Sequence, residues 1–250
     1  MCDIQKVIRW LANTTQAGVW QILKRLGFSY KYALHFVRSP DPNYRYKRQR
    51  ILAAYQEVIA KPNEVVMLFQ DEFTYYRRAH VHKCYQLQGK NQQRHHHQAG
   101  WDNKARIVAT LDAVTGQVCY RQRSRIDRWQ LCAFYQDIRQ QHYPSAQRIY
   151  LVEDNWSVHY HPQVLQAAEQ NKLTLLFLPT YSSWLNPIEK MWRWLRQDVL
   201  HNHRQSHDFK QLRTLVTNWL DQFALGSHQL LHYVGLLSKK ELDSIPVLNC

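Results

Sequence analysis

Two short apolar runs, EVVMLFQDE at residues 64–72 and RIYLVEDN at residues 148–155, each end in a pair of acids. Runs of this kind read as buried strands. Burying carboxylates at their ends costs several kcal/mol unless something neutralises the charge. In an α/β sheet, strand ends are also where ligands bind. Hard divalent cations such as Mg2+ or Mn2+ prefer carboxylate oxygen, which makes Asp71-Glu72 and Glu153-Asp154 candidate metal ligands. Single acids at strand ends are common in ordinary proteins; two pairs in one chain are less so. Adjacent side chains on a strand face opposite ways, so each pair is expected to send one carboxylate to a site and the other elsewhere.

The rest of the pattern supplies a sheet for these strands. RIVATLDAV at 106–114 is a further apolar run, and beyond Thr115-Gly116 the segment QVCYRQRS looks like its hairpin partner. Helices are expected around 128–141, 162–171 and 187–201, with a strand LTLLFLP at 173–179. Strands followed by alternating strand and helix argue for a mixed α/β sheet with helices on its faces.

Ahead of this lies a different text. DIQKVIRWLAN places Ile4, Val7, Ile8 and Leu11 on one helical face. A second helix from about 15 to 26 carries Val19, Ile22, Leu23 and Leu26 inside and stops at Gly27. The shape is that of a helix-turn-helix, with basic residues Lys24, Arg25, Lys31 and Arg38 on and after its second helix; a plain helical hairpin has the same outline. Ser39-Pro40-Asp41-Pro42 reads as a linker. The basic segment Tyr44 to Arg50, including Arg45, Lys47 and Arg48, then leads into an apolar helix from Ile51 to Ala60. The boundaries read in this way are a helix-turn-helix segment at 1–38, a basic linker and helix at 39–63, a main domain at 64–225 and a tail at 226–250.

Charge points to a partner class. Lys and Arg number 33 against 19 acids, a net charge of +14, as expected of a protein that neutralises phosphates, although other basic proteins share it. No stretch approaches the roughly 20 apolar residues of a membrane span, and no signal pattern opens the chain. The five cysteines are odd in number and lack paired spacing, so they read as reduced thiols of a cytosolic protein.

The third acid comes from LPTYSSWLNPIEKMWRWLRQDV. Pro187 sits where a first helical turn starts, with Asn186 as a plausible cap. Glu189 therefore lies close to the positive end of the helix dipole, which is also where an ordinary helix places an acid. FQDE, VEDNWSVH and LPTYSSWLNPIEKMW together resemble the three catalytic blocks of mariner-like DDE transposases, a superfamily that includes many bacterial insertion-sequence enzymes. The resemblance spans roughly residues 64 to 203, and more loosely the helical N-terminus.

The resemblance implies an RNase H-like catalytic domain behind a small helix-turn-helix segment, with Asp71, Asp154 and Glu189 as catalytic residues and metal ligands. Asp154 and Glu189 stand 35 positions apart, a spacing typical of the group. The implied cofactors are two Mg2+ (or Mn2+) ions, a pair able to activate the attacking oxygen and stabilise the leaving one at phosphorus. The implied activity is cleavage of double-stranded DNA at element ends and transfer of the freed 3′-hydroxyl into target DNA. A homodimer holding both ends, in bacterial cytoplasm at the nucleoid, goes with it. Relatives carry two helix-turn-helix units before the catalytic domain, and the N-terminal segment here matches the second. A related nuclease or resolvase without strand transfer, and an inactive DNA-binding remnant, are the alternatives.

Lesser candidates surround this core. Asn155 and His159 follow the second Asp as in the family pattern, Asn155 to support the metal site or the turn and His159 to approach DNA or to pack. Trp184 and Tyr181 are placed to stack on bases or to anchor their loop. Arg121, Arg123 and Arg125 alternate and so share a face, suited to phosphate. Arg94 with His95, His96 and His97 reads as a solvated or DNA-facing loop, because consecutive residues cannot all face one ion.

Overall fold

The computed structural model describes residues 8, 13–29, 31, 39–89, 93–95 and 103–237. The chain divides into two compact units, Met1–Val37 and Arg38–Cys250. In the first, helix α1 (Gln16–Arg25) begins where Thr15 Oγ1 accepts a hydrogen bond from the Gly18 amide at 3.2 Å. It ends before Gly27, whose φ of 80° suits a residue without a Cβ. Val19 is buried as expected, but Leu26 is largely exposed. The expected first helix lies outside the described residues, apart from Ile8.

The second unit is built on a five-stranded sheet: β1 (Val65–Tyr76), β2 (Lys104–Asp112), β3 (Val118–Arg123), β4 (Arg148–Glu153) and β5 (Leu173–Phe177), in the order β3-β2-β1-β4-β5. The first three strands pair antiparallel, while β1, β4 and β5 run parallel. Alternation along β1 sorts the core. Met67, Phe69 and Phe73 face one layer, formed by helices α2 (Tyr44–Ala60), α5 (Ile188–Leu195), α6 (Phe209–Asp221) and α7 (His228–Val234). Leu68 faces the other, formed by α3 (Arg128–Asp137) and α4 (Pro162–Gln170). Helices α3 and α5 each run on into a π-helical turn, Ile138–His142 and Arg196–Leu200.

Four expectations need correction. The first strand does not stop at its acids: it pairs with β2 as far as Tyr76↔Lys104, so Asp71 and Glu72 lie inside it. The basic segment from Tyr44 is already helical, and α2 sets Ala54 and Val58 into the main core, so residues 39–63 belong to the same unit as the sheet. Asn186 does not cap α5; Pro187 holds that position without a side-chain bond, and Asn186 Nδ2 donates to the Gln70 carbonyl at 3.0 Å.

Lastly, the supposed tail opens with α7, whose Leu230 and Val234 lie in the core. The turn at Gly116 makes room for it, since a Cβ there would lie 2.4 Å from the Ser227 carbonyl. Leu230 is fully buried whereas Leu225, five residues earlier, is 99% exposed. Leu230→Ala is expected to cost about 2–5 kcal/mol and Leu225→Ala less than about 0.5 kcal/mol, read from urea unfolding midpoints.

Candidate functional site

The site forms where one strand outruns its neighbour. Parallel pairing in the register Leu68↔Leu151 and Phe69↔Val152, continued two places, sets Asp71 level with Asp154. There β4 has ended at Glu153 while β1 goes on. The two chains are about 4.8 Å apart at such a pairing, which brings both acid pairs together at an open edge. Alternation then splits each pair. Asp71 falls on the α5 layer with Phe69 and Phe73. Glu72 and Glu153 fall on the α3/α4 layer with Leu68 and Leu151.

Helix α5 brings the third acid. The Asn186 bond to the Gln70 carbonyl ties the start of α5 to β1 one residue before Asp71. One turn further, Trp192 Nε1 donates to Asp71 Oδ2 at 2.9 Å, and the indole stacks on Phe73 at 4.9 Å between centroids. Glu189 lies in the first turn. Asp71, Asp154 and Glu189 thus line one cleft, together with Glu72, Thr74, Arg106, Asn155 and the loop 178–183.

This crowding of acids shows in their proton affinities. Burial, then Glu189 and Glu72, push the Asp71 carboxyl up to about 8. Burial also raises Glu189; Asp154 adds to the rise, and Arg196 and Arg193 oppose it.

On the other layer, Glu153 is fully buried, and its Oε2 accepts from the Tyr135 hydroxyl at 2.8 Å. The same oxygen lies 2.7 Å from His159 Nδ1. Burial would lower the His159 pKa, but its contacts with Glu153 and Glu72 outweigh this and raise it to about 10. Its Nε2 faces Glu72 at 3.5 Å and Asp154 at 3.6 Å.

The remaining expected residues fall into three groups. Asn155 supports the turn: its Nδ2 donates to the Leu178 carbonyl at 2.8 Å, and its Oδ1 accepts from the Tyr160 hydroxyl at 2.6 Å. Arg121 and Lys47 are engaged within the chain, with Asp137 at 2.6 Å and Asp41 at 2.9 Å. Arg45, Arg48, Arg123 and, on the first unit, Lys24, Arg25 and Lys31 are exposed; Lys24 lies over the Trp20 ring at 5.0 Å. Tyr181 and Trp184 are exposed beside the cleft loop, whereas Arg125 lies past the end of β3. Arg94 and His95 carry no regular structure, and His96 and His97 lie outside the described residues.

The sequence reading missed a second cleft that shares Arg106, Ile126 and Trp156 with the first and adds Arg125, Arg128 and Trp129. It also missed Trp192 as the partner of Asp71, although the three-residue step from Glu189 puts both on one helix face.

Residues 66–213 match the DDE superfamily endonuclease family. A 39 kDa protein of insertion element IS630 from Shigella sonnei, described as uncharacterized, is 25% identical over 212 residues. The match covers 83% of this chain and 60% of that protein, so the chain spans about 60% of the length of that curated relative. Among solved structures, the paired-end complex of the Mos1 mariner transposase with Mn superposes with a TM-score of 0.65 at 15% identity, over 95% of this chain and 72% of that one. The Mos1 strand transfer complex gives 0.62 at 16% identity, over 88% and 67%. At such identities the likeness is one of fold, and it agrees with an RNase H-like sheet.

Asp71 gives a direct readout of the crowding. Its carboxyl titrates near 8 in the fold against an ordinary 3.8, so its contribution favours folding below about pH 4 and is lost as pH rises through about 8. With a chelator present, stability is expected to fall between pH 5 and pH 8 more steeply in the wild type than in Asp71→Asn. The difference in slope should approach about 1.4 kcal/mol per pH unit at most, measured by denaturant unfolding at each pH.

Proposed function

The chain belongs to the DDE superfamily endonucleases, and on that premise we propose that it cuts DNA at the ends of a mobile element and joins the freed 3′-hydroxyl to target DNA. The observation that carries this reading is the meeting of Asp71, Asp154 and Glu189 in one open cleft. The donor set suits divalent cations of the Mg2+ or Mn2+ class: three hard carboxylates, one held near pKa 8 by burial and like charge, gain most from a cation placed between them. Asp71, Asp154 and Glu189 would hold two such ions, which supply Lewis-acid stabilisation of charge at a phosphodiester when bound.

The chain's own groups do the positioning. Trp192 fixes the Asp71 carboxylate through Nε1, and its stack on Phe73 keeps the indole from turning. Asn186 fixes the start of α5 and so the height of Glu189 above the sheet. The adjoining cleft, with Arg106, Arg125 and Arg128, offers guanidinium groups to phosphates leading into the acids, and Trp129 and Trp156 offer faces for bases. Exposed Arg45, Arg48 and Arg123 extend the basic surface.

Double-stranded DNA, both element end and target, is the proposed partner. The similar Mos1 structures are paired-end and strand transfer complexes, and a homodimer holding two ends is the matching proposal here. No helix among the described residues is long and apolar enough to cross a membrane, and action on nucleoid DNA in the bacterial cytoplasm is the proposed setting.

Incubation with supercoiled plasmid carrying the inverted repeats that flank the gene, in Mg2+, is expected to give cuts at the repeat ends and joined products. Glu189→Gln is expected to lower cleavage by at least about a thousandfold, the scale on which single catalytic groups act, while gel-shift binding persists. Cleavage without joining in the wild type would leave a nuclease. Equal cleavage by both proteins would remove Glu189 from the mechanism.

A further inference from the structure

The acids that alternation sends away from Asp71 are not idle. We propose that Glu72, Asp154 and His159 form a second cation site, for a borderline-soft dication of the Zn2+ class, on the α3/α4 side of β1. The inference goes beyond the DNA-cutting reading and shares only Asp154 with it.

Three independent features support the site. The first is spacing. One ligand atom from each residue lies within 4.8 Å of the other two, and His159 Nε2 is 3.5 Å from Glu72 and 3.6 Å from Asp154. Ligands about 2.1 Å from a tetrahedral ion lie roughly 3.4 Å from one another, so these donors need move only a few tenths of an ångström to close on one ion.

The second is an orphaned nitrogen. The His159 side chain is only 1% exposed, yet its Nε2 has no hydrogen-bond partner. A buried polar atom left in this way is costly, and this one points between two carboxylates. A cation there takes the place of the proton on Nε2.

The third is the support behind the ring. Nδ1 donates to the buried Glu153 at 2.7 Å, and Glu153 is held in turn by Tyr135 and, at 3.4 Å, by Gln70 Nε2. A carboxylate behind an imidazole fixes the tautomer and ring angle in metal sites and raises the basicity of the ligating nitrogen. The Gln70 amide also reaches Glu72 Oε1 at 3.4 Å, linking ligand and support.

Chemistry then selects the ion. Two carboxylate oxygens and one imidazole nitrogen suit Zn2+ and neighbouring transition metals better than Mg2+. Asp154, with a side chain 52% exposed, and the cleft beside Glu72 leave an entry path and an open fourth position.

The test is Zn2+ binding by the full chain without DNA, in competition with a chromophoric chelator. Visible absorption of the Co2+ form reports tetrahedral coordination. The expected result is one tight Zn2+ whose affinity falls by more than about a hundredfold in His159→Gln and in Glu72→Gln, more than loss of an outer-shell partner costs. Asp71→Asn should retain it. His159 is buried and its replacement risks the fold, so Glu72→Gln, at the cleft wall, decides the matter. Zn2+ affinity unchanged in Glu72→Gln, or no tight Zn2+ in the wild type, would overturn the site. Because no DNA is present, either result leaves the cleavage experiment to stand or fall separately.

Discussion

Repulsion between like charges, imposed by the pairing of two parallel strands, is the constraint around which this protein is arranged. The register Leu68↔Leu151 is fixed by apolar residues far from any acid. Once set, it carries Asp71-Glu72 and Glu153-Asp154 to the same edge, where β4 ends and β1 does not. A buried carboxylate without a counter-charge is costly, and the fold answers differently on its two layers. On one, Asp71 leans on Trp192 and meets Glu189. On the other, Glu153 is satisfied by Tyr135 and His159.

The packing around the site follows from that division. Helix α5 both delivers Glu189 and covers the sheet through Met191, Trp192 and Leu195, so catalysis and core share one element. Asn186 and Trp192, one at each end of the first two turns, hold α5 to β1 on either side of Asp71. Displacing the helix would therefore move Glu189 and release Asp71 together.

Much of this was legible in the sequence because apolar runs ending in acids are local signals. The five strands and the helices near 128, 162 and 188 could be read from period and breakers, and the split of each acid pair followed from strand alternation. What could not be read depends on contacts distant along the chain. The extension of β1 to Tyr76 is stabilised by its pairing with β2. Helices α6 and α7 belong to the unit because Leu212, Val216 and Leu230 meet a core built from residues far earlier. Arg121 looked free for phosphate until α3 placed Asp137 beside it, and nothing near His159 in the sequence reveals that Glu153 and Tyr135 stand behind it. The resemblance to mariner-like transposases supplied the choice among acids, which spacing alone left open.

The central claim is that like charge gathered by the β1–β4 register is there to be neutralised by metal. It is tested most directly by anomalous diffraction from crystals soaked in Mn2+. The account predicts anomalous peaks within bonding distance of carboxylate oxygens of Asp71, Asp154 and Glu189, and their loss in Glu189→Gln crystals. Well-ordered crystals with no Mn2+ peak touching both Asp71 and Asp154 would contradict it.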